Sequence, residues 1–152
     1  MTSLLSTEEV QKAKELIGQE GTSVVLMKDE KILHQKDGRG IRPLLDLYEE
    51  EPEDFQGSII IDRLIGKAAA MIVHAGGAQA VYGYTMSEGA ISYLEGKIPY
   101  AFHEKVHVIK NSDGTDLCPM EKTVQDITDP YEGIKELRNT LMRLQQNKRD
   151  AK

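Results

Sequence analysis

The segment Gly57-Ser58-Ile59-Ile60-Ile61, continued by Asp62-Arg63-Leu64-Ile65-Gly66 and then Lys67-Ala68-Ala69-Ala70, decides the fold. Three consecutive isoleucines behind a Gly-Ser pair fit a central strand buried on both faces. Residues 62–66 read as the exit from that strand. The Ala-rich run from Lys67 to Ala75, which also holds Met71, Ile72 and Val73, fits a helix stopped by Gly76-Gly77. Working outward, Ala80-Val81-Tyr82-Gly83-Tyr84 is a second strand and residues 87–95 a second helix ended by Gly96. Residues 100–109 hold a third strand, strongest at Val106-His107-Val108-Ile109. Strand, helix and strand at this spacing form a βαβ crossover, which makes the strands parallel.

Upstream, Ser6 and Glu9 form a capping box ahead of an apolar stripe at Val10, Ala13, Leu16 and Ile17. Gly18 and Gly21 close that helix. Ser23-Val24-Val25-Leu26-Met27 and Ile32-Leu33-His34-Gln35 pair as a hairpin across Lys28-Asp29-Glu30-Lys31. After the corner Asp37-Gly38-Arg39-Gly40, a short helix carries Ile41, Leu44, Leu45 and Tyr48, with Pro43 in its first turn. Glu49-Glu50-Glu51-Pro52-Glu53-Asp54 reads as an acidic exposed connector. Downstream, Asn111-Ser112-Asp113-Gly114 is a turn and Cys118-Pro119-Met120-Glu121 opens a short helix. Asp129-Pro130-Tyr131-Glu132 opens the last helix, lined by Ile134, Leu137, Leu141 and Leu144. The expected fold is an α/β three-layer α/β/α sandwich with a mixed sheet. Residues 1–128 carry the sandwich, and 129–152 add a C-terminal helix and polar tail to the same domain.

Composition narrows the function. The chain has 152 residues, one Cys and a formal net charge of −6. One domain of this size buries a core without disulfides or structural metal. Nineteen Lys plus Arg against 25 Asp plus Glu give no basic footprint for nucleic acid. No apolar run reaches the roughly 20 residues of a membrane helix, and Met1-Thr2-Ser3-Leu4-Leu5-Ser6 lacks the pattern of a signal peptide. A lone thiol fits a reducing compartment, so a cytoplasmic location is expected.

Ligands of open α/β sheets bind beyond the carboxyl ends of the strands. That places Asp62, Lys67, Thr85, Ser87 and Glu88 in one prospective ligand-binding pocket. Lys67, in the first turn of a helix, opposes the helix dipole. Two explanations stand: an anionic ligand or an ion pair with Asp62, against a surface lysine that merely snorkels. Cys118 falls at an N-cap, where helix amides favour thiolate, although buried lone cysteines are common and inert. Glu121 follows it in the same turn and joins the candidate ligand-binding residues. Lys67 and Cys118 are thus the candidate catalytic residues. His34, His74, His103 and His107 are scattered without a ligand motif, and structural or surface roles account for them.

Gly40-Ile41-Arg42-Pro43-Leu44-Leu45, Asp62 through Ala70, Ala80-Val81-Tyr82-Gly83 and Cys118-Pro119-Met120-Glu121 together resemble a small prokaryotic family of unknown function, grouped with the cytidine deaminase-like fold. The resemblance covers about residues 7–125. It implies a deaminase-like sandwich whose old active-site pocket lies at the starts of the two crossover helices. Working deaminases place His-x-Glu or Cys-x-Glu at one helix start and Pro-Cys-x-x-Cys at the next, to hold zinc. Here those starts read Lys67-Ala68-Ala69 and Ser87-Glu88-Gly89-Ala90. The expectation is therefore no metal, no cofactor and no zinc-dependent deamination.

Three readings follow. The first is a protein that binds a small polar or anionic molecule in a metal-free pocket. The second is a metal-independent enzyme using Cys118 as nucleophile or Lys67 as acid, base or anchor. The third is a structural or regulatory interaction protein. A homodimer through the stripe of the last helix is also expected, because the other helices already serve both faces of the sheet.

Overall fold

The computed structural model describes residues 7–18, 22–111 and 113–150, with side chains described as far as residue 146. Five strands form one mixed sheet in the order β2-β1-β3-β4-β5. β1 (Val24–Lys28) runs antiparallel to both β2 (Lys31–Lys36) and β3 (Ile59–Ile65). β3, β4 (Ala80–Ser87) and β5 (Tyr100–Val106) are mutually parallel. The β1–β2 turn is closed by Asp29 and Glu30, both at positive φ, as a two-residue hairpin turn requires.

Helices lie on both faces. α1 (Glu8–Ile17) covers one, laying Val10, Ala13 and Ile17 against Val25, Met27, Ile61 and Tyr82. Its N-cap is Thr7, whose hydroxyl accepts from the Val10 amide at 3.2 Å. The expected Ser6 cap lies outside the described residues. The opposite face carries α2 (Arg42–Glu50), α4 (Lys67–Ala75) and α5 (Glu88–Leu94), together with α6 (Pro119–Val124) and α7 (Pro130–Asp150).

The Ala-rich α4 is buried from Ala68 through Val73 without a polar stripe. A helix apolar all round must be covered all round. The sheet covers its inner side, and α6 and α7 pack on it from outside. The last helix is thus not spare. Ile134 and Leu137 sit in the main core, with Leu137 fully buried. What α7 leaves exposed among the described large apolar residues is Tyr131, Met142 and Leu144.

Three boundaries differ from the sequence expectation. The acidic connector is largely helical: α2 runs to Glu50, and Pro52–Phe55 forms α3, which delivers Phe55 to the core. β5 ends at Val106, so residues 107–109 belong to a loop, held instead by a Lys110–Leu117 bridge. β3 continues to Ile65, so Asp62 is a mid-strand residue rather than an exit. Ile60 and Ile65 pack in the same core cluster although strict alternation would part them. The strand is therefore irregular between them, and this is where Asp62 turns its carboxyl back to accept the Arg63 amide at 2.7 Å. No helix among the described residues is long and apolar enough to cross a membrane.

Candidate functional site

Beyond the ends of β3 and β4 the structure opens a cleft in two chambers. Glu121 and Ile109 form the wall between them, since both residues line both chambers. The first chamber, about 440 Å³, is lined by Lys67, Ser87, Gly89, Tyr93 and His107, among others. The second, about 310 Å³, is lined by the corner Gly38-Arg39-Gly40 together with Asp62, Cys118 and Met120. The residues expected in one pocket are therefore divided. Lys67 and Ser87 share the first chamber, Asp62 and Cys118 the second, and Glu121 stands between them.

Glu121 explains the division. Its two carboxylate oxygens accept from the Lys67 and Ala68 amides at 2.8 and 2.9 Å. Those are orphan donors of α4, and a carboxylate there also meets the positive end of the helix dipole. Gly66 makes the approach possible: a Cβ at that position would overlap the Glu121 carboxylate and the Ile109 side chain. The anion site foreseen at the start of α4 is thus filled by the protein's own side chain.

Lys67 has its own explanation. Its ammonium donates to the Gln125 carbonyl at 3.1 Å, at the C-cap of α6. An unfavourable place on one helix is a favourable one at the negative end of another. It neither pairs with Asp62 nor stands beside Cys118.

The remaining expected residues work locally. Ser87 is the N-cap of α5 and accepts from the Ala90 amide at 3.1 Å. Thr85 does not face Lys67: its hydroxyl donates to Glu104 at 3.2 Å. Glu88 pairs with His107 at 2.7 Å, and that contact holds its carboxyl below the usual range. Cys118 is the N-cap residue of α6 without a side-chain capping bond, and is half-buried. Two carboxylates close to it in sequence are engaged elsewhere, Glu121 on α4 and Asp116 with Lys122.

Asp62 is the exceptional group. Its residue is only 6% exposed. Burial pushes its carboxyl from 3.8 up to about 7, against the opposing pull of the Arg63 and Leu64 amides and the Arg63 charge. The Arg63 side chain is itself tied back, Nε donating to the Ile17 carbonyl at 2.5 Å. A buried carboxyl that titrates near neutrality in a cavity wall can donate, accept or move a proton. In the first chamber Tyr93 is the corresponding buried group. Its hydroxyl meets His74 Nδ1 at 2.7 Å, and burial pushes it up to about 12, so it stays protonated.

The two helix starts bring together no group of three metal donors among the described residues. The starts of α4 and α5 offer Lys67, already bonded to a carbonyl, and Ser87, already used as a cap. Among the described residues, the one convergent group of three His, Cys, Asp or Glu donors lies elsewhere, at His34, Glu51 and Asp54. Sequence reading missed that group because residues 34, 51 and 54 match no ligand motif. Its only local trace is the i, i+3 spacing of Glu51 and Asp54.

Comparison with solved structures places the architecture. The fold is similar to that of a DUF1893 family protein, TM1506, from Thermotoga maritima, with a TM-score of 0.79 and 22% identity over 88% of this chain and 90% of that one. A partial match, at a TM-score of 0.44 and 17% identity, is a diaminohydroxyphosphoribosylaminopyrimidine deaminase/5-amino-6-(5-phosphoribosylamino)uracil reductase from the same organism, covering 75% of this chain and 39% of that one. No curated protein matches. Residues 12–141 match the sequence pattern of TM1506, the domain of unknown function DUF1893, and with most of its length so matched the chain belongs to the DUF1893 family.

Proposed function

We propose that the protein binds a small polar molecule in the second chamber of the cleft, with Asp62 as the group that recognises it. The carrying observation is a buried carboxyl, raised to about 7, in the wall of a cavity of about 310 Å³. That volume suits a metabolite-sized ligand. Ile41, Leu64, Ala69 and Met120 supply apolar contact around the carboxyl, and exposed Arg39 also lines the chamber. The ligand donates a hydrogen bond to Asp62, and any anionic group it carries goes to Arg39 rather than to α4, whose first amides Glu121 already holds. The chemistry needs no metal at the helix starts.

The test is a thermal-shift screen of small polar metabolites at pH 7, repeated on Asp62→Asn. A ligand of the folded state raises the midpoint by mass action. Hits on the wild type that vanish in the variant support the reading. A donor to Asp62 favours its charged form, so affinity for such a hit rises from pH 6 to pH 8. Hits that shift both proteins equally, or no hit at all, overturn it.

A further inference from the structure

We propose that His34, Glu51 and Asp54 form a site for one divalent transition-metal ion of the zinc class, away from the cleft. His34 comes from β2, Glu51 from the junction of α2 and α3, and Asp54 from α3. His34 Nε2 stands 2.8 Å from an Asp54 oxygen and 3.7 Å from a Glu51 oxygen. All three donor atoms lie within 4.8 Å of one another. Ligand atoms about 2.1 Å from a shared ion can be at most about 4.2 Å apart. The group therefore needs only a small closure, which partly exposed carboxylates supply by rotating.

The charges favour an ion over a plain ion pair. Two carboxylates address one imidazole nitrogen, which can donate to only one of them. That one is Asp54, while Glu51 is beyond hydrogen-bond distance. Two lysines of the hairpin are engaged first elsewhere: Lys28 donates to the Glu53 carbonyl, and Lys36 pairs with Glu50, with Glu51 the weakest of the acids acting on it. Glu51 caps neither helix with its side chain, and its backbone, at φ −128° and ψ 56°, breaks the helical path between α2 and α3. A dication neutralises both carboxylates. The imidazole selects for zinc-like ions over magnesium and calcium, which prefer all-oxygen sites. With three protein donors on one side, water completes the coordination.

A bound ion fastens the edge strand β2 to the α2–α3 corner. The chain between β2 and α2 carries Gly38, Arg39, Gly40 and Ile41, all lining the second chamber. The site is thus a clamp on the elements that flank the cleft wall, and it stands independently of the ligand reading above.

Isothermal titration of metal-free protein with zinc chloride tests it, alongside magnesium as control. Expected are one saturable zinc site per chain, no matching magnesium site, and at least tenfold weaker zinc binding in His34→Ala, Glu51→Gln and Asp54→Asn. The two carboxylate variants are isosteric at partly exposed positions, so they carry the test should His34→Ala fold poorly. Absence of saturable zinc binding overturns the proposal. So does zinc binding that survives all three variants, for instance at His107 and Glu88.

Discussion

Replacing Asp62 with Asn should make the folded protein more stable at neutral and alkaline pH, and the size follows from the burial of this carboxyl. The group is raised from 3.8 to about 7. Each unit is worth about 1.4 kcal/mol, so ionising Asp62 inside the fold costs about 4 kcal/mol relative to ionising it in the unfolded chain. The sign is that of a raised carboxyl. Its favourable contribution is complete below pH 3.8, is lost as pH climbs towards 7, and is gone above that. Asn removes the charge and keeps an oxygen for the Arg63 amide, which Asp62 holds at 2.7 Å. Its new amide N–H group needs a partner, and failing to find one costs about 1–3 kcal/mol. The net expectation is a gain of about 1–3 kcal/mol at pH 8. That gain shrinks as pH falls below 7 and reverses between about pH 6 and 4.5, where the ionisation cost drops below the amide penalty. Urea unfolding of both proteins across that range, followed by circular dichroism, measures it, and the difference between the two curves isolates Asp62 from other titrating groups. A difference that stays constant with pH would show that Asp62 ionises as in water, and would remove the main support for its role in recognition.

Three further outcomes are expected. Gly66→Ala should drive Glu121 off the first amides of α4 and cost about 1–3 kcal/mol in chemical denaturation, as lost caps and overpacking do; unchanged stability would mean that the cap is not what Gly66 protects. Leu137→Ala, at a fully buried position of α7, should cost about 2–5 kcal/mol, whereas Met142→Glu, at a residue 68% exposed, should stay within about 0.5 kcal/mol; equal effects would contradict the packing of α7 on its own core. Cys118 shares the second chamber with Asp62, so any ligand found to depend on Asp62 should slow alkylation of Cys118 by iodoacetamide, and an unaltered rate would place that ligand elsewhere.

Much of the fold is legible in the chain because one signal dominates each element. Ile59-Ile60-Ile61 can only be a buried strand, and Asp129-Pro130 opens α7 where a cap and a first-turn proline predict it. The errors arise where tertiary contacts outweigh local signals. Val106-His107-Val108-Ile109 has strong strand propensity, yet β4 ends at Ser87, which pairs with Val106, and leaves nothing further to pair with. The acidic run 49–54 is polar enough for a loop, but Phe55 must reach the core and Pro52 suits a helix start, so a turn of helix forms. In the site, residue types were legible and their assignments were not. Lys67, Cys118 and Glu121 were each notable at a helix start. No sequence pattern says that Glu121 crosses to the start of α4, or that Lys67 reaches the end of α6, because these contacts join residues more than 50 positions apart.

Under the proposed function, the crossing of Glu121 also bears on what kind of ligand the cleft would take. An anion seeking the N-terminus of α4 must first displace a carboxylate that accepts two amide bonds. Hydrogen bonds to a charged group are worth about 1.5–3 kcal/mol each, so the newcomer begins at a deficit of several kcal/mol before its own desolvation. Arg39 carries no such barrier, since it is exposed and borders the same chamber. Asp62 imposes the opposite demand, because near pH 7 it is divided between a neutral form and an anion that only a donor stabilises. A ligand matched to both presents hydrogen-bond donors inward and any negative charge outward. The helix dipole at the start of α4 thus acts within the protein, holding Glu121 in place as the wall, and under the proposed function selection of the ligand would fall to the Asp62 carboxyl on β3.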